Sequence, residues 1–331
     1  MTDDQKKDQT EDQKPEHEPP AGAETTATWG RGRKAVQYTA TAKWIVLRKK
    51  EKPSAEIFSV SYVAGGNGGA RPVTFVFNGG PGASSAYLHM GAVGPQRVAF
   101  PADGTLPEMP ARLVENESSW LAFTDLVFVD PVGTGFSRVI EPESKGDGKN
   151  GAKPDDAADP KEYFGYKRDL ESLCEFMGRW LSDNGRWGSA VFIAGESYGG
   201  YRVARLVRML QEAAGIGLNG AVLISPALEI TGLDPTDYDV LGWIDRVPTM
   251  AAAALHHRRS RAFRKGTAVE RALREAENFA TGDYATFLTR GASMPAKERD
   301  RILARLADVV GLPLDIVSRG EGRVGILTFV R

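Results

Sequence analysis

Apolar positions in this chain fall into short runs whose rhythm changes twice. Residues 1–33 are rich in Asp, Glu, Lys, Gln and Pro, with almost no large apolar residue before position 25. Such a segment buries too little surface to offset its ordering entropy, so a disordered polar tail is expected. From Lys34 the pattern changes. Residues 36–47 and 57–63 cluster or alternate β-branched and aromatic side chains around a polar turn at 49–54, which predicts two antiparallel strands. Four short apolar runs follow at 73–77, 126–129, 190–194 and 221–224. Each is too short for a helix and nearly continuous in apolarity, as strands buried on both faces are.

Helical periodicity separates the later runs. Leu170, Leu173, Cys174, Met177, Trp180 and Leu181 share one helical face, and residues 198–213 form a second helical pattern. Strand alternating with helix predicts an α/β fold with a mostly parallel sheet and helices on both faces. After Pro226 the strand rhythm stops, and residues 248–264, 268–280 and 296–310 read as helices between Gly and Pro breaks. The expected organisation is a tail over 1–33, an α/β core over 34–228 and a helical cap or insertion over 229–331. The polar, Gly/Pro-rich stretch 141–159 is expected to be a surface loop, and there is no internal repeat.

Composition narrows the function classes. A net charge of −1 over 331 residues gives no reason to expect a nucleic-acid partner. The cluster of Arg258, Arg259, Arg261, Arg264 and Lys265 is local and reads as a solvated face. One cysteine, Cys174, permits no intrachain disulfide, and its apolar neighbours make it a core side chain. The polar N-terminus has no signal-peptide core, and no run is long and apolar enough to span a bilayer. A cytoplasmic protein without a membrane partner is the expectation. Asn116-Glu117-Ser118 is then not expected to carry a glycan. The glycine run 65–69 lacks the Lys-Ser/Thr ending of a phosphate-binding loop.

Candidate chemistry centres on Ser197. The strand at 190–194 runs into Gly195-Glu196-Ser197-Tyr198-Gly199-Gly200, and a helix follows. A sharp strand-to-helix turn strains the serine backbone and leaves no room for side chains at the flanking glycines. The new helix aims its N-terminus at the same point, which favours developing negative charge. The second element is Asn78-Gly79-Gly80-Pro81-Gly82, straight after the strand at 73–77. A tetrahedral intermediate needs two N–H donors, and Tyr198 and Gly80 are the candidates.

Three blocks together resemble the serine carboxypeptidase family, peptidases of the α/β-hydrolase fold. They are Asn78 to Ser85 with Gly94-Pro95; Asn116 to Trp120 with the stretch from Leu126 through Asp130-Pro131-Val132-Gly133-Thr134-Gly135-Phe136-Ser137; and Gly195 to Gly200. The resemblance runs from about Val36 to about Leu228. It implies that Ser197 is the nucleophile and that Gly80 and Tyr198 supply the oxyanion donors. Asn78, Gly79 and Glu196 would bind a substrate's C-terminal carboxylate, which can accept from the Asn78 amide and, if the Glu196 side chain is protonated, from it as well. No cofactor or metal is implied, and the partner is a peptide or acyl substrate.

The chain departs from the family at Ala92, where a second Glu is usual; at Val76, where Trp is usual; at Ala83, where Cys is usual; and in lacking the Gln between Asp130 and Pro131. The triad order in this fold is Ser, Asp, His. Only His256 and His257 follow Ser197, beside arginines in an expected cap helix; His17 and His89 precede it. The expectation is therefore a chain truncated before the triad Asp and His, a serine carboxypeptidase-type hydrolase awaiting a base. Two alternatives stand beside it: an esterase or acyltransferase using the same turn, and a non-catalytic protein that binds ligands in the cleft.

Overall fold

The computed structural model describes residues 17–65, 71–140 and 160–330. The sequence readings for residues 1–16, for the glycines at 66–69 and for the loop at 141–159 lie outside the described residues. The chain divides into two compact units, Met1–Leu228 and Glu229–Arg331.

The first unit contains strands β1 (Ala23–Trp29), β2 (Val36–Lys49), β3 (Lys52–Ala64), β4 (Val73–Phe77), β5 (Gln96–Val98), β6 (Leu113–Glu115), β7 (Asp125–Val129), β8 (Arg138–Val139), β9 (Val191–Glu196) and β10 (Gly220–Ile224). Its helices are α1 (Ala86–Leu88), α2 (Tyr166–Asp183) and α3 (Tyr198–Ala214). The main sheet runs β1-β2-β3-β7-β4-β9-β10, with β8 also pairing β3; β5 and β6 form a separate ribbon. β7, β4, β9 and β10 are parallel, whereas β1, β2 and β3 are antiparallel to their neighbours. The sheet is thus mixed, and only its second half matches the parallel expectation.

Period-two alternation divides the parallel strands between two cores. Val73, Phe75, Phe77, Val127, Val129, Val191 and Ile193 meet the apolar stripes of α2 and α3, including Phe176, Trp180, Val203 and Leu206. Val76, Leu126, Phe128 and Ala194 face the other way, against Trp29, Tyr38, Leu88 and Leu121. Both faces of β4 and β7 are therefore covered, which accounts for their uninterrupted apolarity. β10 is different. It is the last strand of the sheet among the described residues, and Val222 and Leu223 are about two-fifths exposed (38% and 43%).

Two further expectations need correction. The reading of 1–33 as a disordered tail fails for β1, which pairs with β2 along all seven of its residues. Six of those residues are exposed, so the strand needs no apolar content. Ladder hydrogen bonds hold it, and the buried Trp29 indole donates to the Asn116 carbonyl at 2.8 Å. The turn expected at 49–54 is far tighter: Lys50 and Glu51 alone connect β2 to β3, at φ +48° and +65°. Positive φ at both central residues suits the twist of a two-residue hairpin but is usually met by Asn and Gly, so the polar run signalled a turn but not its two-residue length.

The second unit is built of helices α4 (Val240–Ile244), α5 (Arg246–His256), α6 (Val269–Phe279), α7 (Ala285–Arg290), α8 (Ala296–Val310), α9 (Leu314–Arg319) and α10 (Ile326–Phe329). Its core includes Met250, Phe279, Tyr284, Phe287, Leu306 and Val310. The helix expected over 248–264 ends at His256. Arg258 turns left-handed at φ +57°, and the N–H groups of Arg261 and Ala262 bond the Asp308 carbonyl instead of continuing the helix.

Candidate active site

β9 delivers Ser197 to the N-terminus of α3 at φ 55° and ψ −120°, a conformation that costs a non-glycine residue on the order of 1–3 kcal/mol. The surroundings hold it there. Ser197 N–H donates to the Ile224 carbonyl at 3.0 Å, at the end of β10. The Ser197 carbonyl accepts from Gly200 N–H and Ala227 N–H, both at 2.9 Å. A Cβ at Gly199 would stand 2.4 Å from the Phe77 carbonyl oxygen, so α3 can start this close to the end of β4 only with glycine there.

The Asn78–Gly82 loop leaves β4 directly beside this turn. An ideal Cβ on Gly79 would lie 2.6 Å from Tyr198 N and 2.8 Å from Ser197 Cβ, which places the Gly79 backbone against the serine. Gly80 follows at φ +106°. Among the described residues, the N–H groups of Gly80 and Tyr198 donate to no protein acceptor. A free N–H at the start of a helix and another on the adjoining loop are what an anionic oxygen above Ser197 would accept.

The structure also joins Asn78 to Glu196. Asn78 is buried, and its Nδ2 donates to Glu196 Oε2 at 3.1 Å while its Oδ1 accepts from Leu88 N–H at 2.9 Å. These two bonds set the orientation of the amide. Ala92 lies exposed in the π-turn His89–Val93, and its carbonyl and that of Gly94 accept from Asn116 Nδ2 at 2.7 and 2.9 Å. Asn116 is thus a buried clamp on that turn. Asp130 ties the second sequence block to the first: it accepts from Ser85 N–H at 2.9 Å and Phe136 N–H at 3.4 Å. Burial raises its carboxyl pKa, against those two bonds.

One pair was missed by sequence reasoning. Arg202 on α3 and Asp169 on α2 are both buried, and they bond each other directly beneath Asn78. The available signal was a charge of each sign on the apolar stripe of consecutive helices.

The histidines of the first unit are engaged elsewhere. His17 Nε2 lies 2.9 Å from Glu56 Oε2. His89 Nε2 lies 2.6 Å from the Tyr62 hydroxyl, and its ring stacks on Phe128 at 4.4 Å. His256 and His257 belong to the second unit, where both are exposed and pack edge to face.

Burial drives the His89 pKa down from 6.5 to about 4. Between those values the unfolded chain binds a proton that the folded chain refuses, so His89 makes stability fall as pH drops through that window. His89→Gln keeps a polar partner for Tyr62 and removes the titration. Relative to wild type, the variant is expected to gain on the order of 2 kcal/mol between pH 7 and pH 4. Urea unfolding at both pH values checks this, and parallel losses in the two proteins would refute it.

The comparison with family models spans these site residues. A family model described as serine carboxypeptidase matches residues 40–234. The chain is 32% identical over 165 residues to serine carboxypeptidase-like 36 of Arabidopsis thaliana, covering 49% of this chain and 29% of that protein. It is 35% identical over 132 residues to the pheromone-processing carboxypeptidase KEX1 of Pyricularia oryzae, covering 40% of this chain and 17% of that one. The aligned stretch is thus less than a third of either curated relative. Among solved structures, a prohormone-processing carboxypeptidase of Saccharomyces cerevisiae, KEX1(Δ)p, aligns over 82% of this chain and 53% of its own, at 19% identity and a TM-score of 0.47.

Proposed function

Because this chain belongs to the serine carboxypeptidase family, a family of α/β-hydrolase fold, we propose that Ser197 is the nucleophile of a hydrolase that releases C-terminal residues from peptides. The observation that carries this reading is the strained Ser197 turn, with the free Tyr198 N–H beside it and the Gly79–Gly80 backbone packed against it. Ser197 Oγ bonds the acyl carbon, and the developing oxyanion is accepted by the N–H groups of Gly80 and Tyr198. The amine leaves with a proton, and water then hydrolyses the acyl-enzyme. The substrate's terminal carboxylate is received by Asn78, Gly79 and Glu196. The hydroxyl proton needs a base, and both histidines of the first unit already have partners. Lacking one, a serine hydrolase loses on the order of 10⁴ to 10⁶ in rate.

Ala92 supports a second reading, an esterase or acyltransferase, because it brings no carboxylate to pair with Glu196. A fluorophosphonate probe and three blocked substrates separate the two. The peptidase reading expects labelling that is lost in Ser197→Ala, and faster cleavage of a dipeptide acid than of its amide. Cleavage of a simple ester alone would favour the esterase. An unlabelled Ser197 would leave a ligand-binding protein as the better account.

A further inference from the structure

Buried ion pairs are seldom worth keeping for stability alone, because an apolar pair of similar volume packs two helices as well or better. What an apolar pair cannot do is donate a hydrogen bond. Arg202 Nε donates to Asp169 Oδ2 at 2.7 Å, Arg202 NH2 donates to Asp169 Oδ1 at 3.3 Å, and Arg202 NH1 donates to the backbone carbonyl of Asn78 at 3.1 Å. Arg202 is 3% exposed and Asp169 is 6% exposed, so solvent does not compete for these bonds. The Tyr198 ring covers the guanidinium, with Cζ 4.8 Å from the ring centroid.

The acceptor is what matters. β4 ends at Phe77, so the Asn78 carbonyl lies past the end of the strand. The peptide that follows is trans, and its N–H, that of Gly79, points opposite to the carbonyl. Gly79 has no side chain to fix that plane. A fork already held by Asp169 does fix it.

We infer that Arg202, oriented by Asp169, is a positioning residue for the carboxylate subsite: it clamps the Asn78–Gly79 peptide so that Gly79 N–H and the Asn78 amide meet a substrate's terminal carboxylate in fixed geometry. This rests on the reading of Asn78, Gly79 and Glu196 as that subsite. Arg202 touches neither substrate nor reacting atoms. Its effect falls on discrimination between a free carboxylate and its neutral analogues, and it reaches the oxyanion loop through the same peptide.

The test uses product binding, which needs no catalytic base. Calorimetric titration of the full chain with N-acetylphenylalanine and with its amide gives the wild-type preference for the acid. Arg202→Lys keeps the charge and can bond Asp169, but it lacks the fork that reaches both partners. The expected result is about tenfold or more weaker binding of the acid with the amide unaffected. Faster amide hydrogen exchange across residues 77–85 is expected alongside. Asp169→Asn, which frees the guanidinium, is expected to act in the same direction and carries the test if Arg202→Lys fails to fold. Faster exchange with unchanged discrimination would reduce the pair to a structural brace and overturn the inference. A wild-type protein that cannot tell acid from amide would instead remove the subsite, and this inference with it.

Discussion

Gly79→Ala is expected to lower acylation of Ser197 by on the order of 10³-fold, about the effect of losing one oxyanion donor. The added Cβ would lie 2.6 Å from Tyr198 N, 2.8 Å from the Glu196 carbonyl oxygen and 2.8 Å from Ser197 Cβ. Two of these are backbone atoms and the third is the base of the nucleophile's side chain, so no flexible group can give way. Either the Asn78–Gly82 loop lifts off the turn, carrying Gly80 N–H away, or the Ser197 turn itself is displaced. The rate of fluorophosphonate labelling, compared with wild type at equal protein concentration, measures the effect. A variant labelled at the wild-type rate would mean that the loop does not border the reacting centre. The second reading of the site, as an esterase, predicts the same loss, since any acyl transfer at Ser197 uses that oxygen position.

The largest expected effect on stability lies at the other end of the strands. Asp125 opens β7 and is 1% exposed. Its Oδ1 accepts from Arg71 Nε at 3.0 Å and from Ala64 N–H at 3.1 Å, and its Oδ2 accepts from Arg186 NH1 at 2.7 Å. Arg186 is itself 3% exposed and reaches the Arg71 carbonyl and the Ser189 hydroxyl. One carboxylate thus joins the starts of β4, β7 and β9. Asp125→Ala leaves the Arg186 guanidinium buried without a counter-charge, a change that typically costs about 3–5 kcal/mol. Urea unfolding followed by tryptophan fluorescence suits the measurement, because Trp29, Trp44, Trp120, Trp180 and Trp187 all lie in the first unit. Adding Arg186→Met to Asp125→Ala is expected to recover part of the loss, since the stranded charge goes with it. A single variant within about 1 kcal/mol of wild type would show that water reaches the pair.

How much of this was legible depended on sequence separation. The Ser197 turn was readable because its constraints are local. A Cβ at Gly195 would lie 2.1 Å from the Gly199 carbonyl oxygen, four residues on, so the turn writes its own spacing into the chain. The amphipathic stripe of α2 and the doubly buried run of β4 were readable for the same reason, since periodicity is a property of neighbours. The antiparallel β2–β3 pair was readable from its strand patterns and polar turn, but the two-residue Lys50-Glu51 connection was not, because its positive φ values are met by residues that carry no turn preference of their own. β1 was hidden by its polarity, as an edge strand held through backbone bonds and one Trp.

The sequence by itself determined the family, the parallel half of the sheet and the position of Ser197 between Glu196 and Tyr198, because each rests on contacts within a few residues. It also placed Asn78, Gly79 and Gly80 at the end of a strand. Only the tertiary structure decided what surrounds them: Asn78 against Glu196, Gly79 against Tyr198, Arg202 beneath the Asn78 carbonyl, and His89 committed to Tyr62. Those pairings bridge residues 27 to 124 positions apart. Local preference carries no information about which distant groups meet; that follows from the order in which the strands join the sheet.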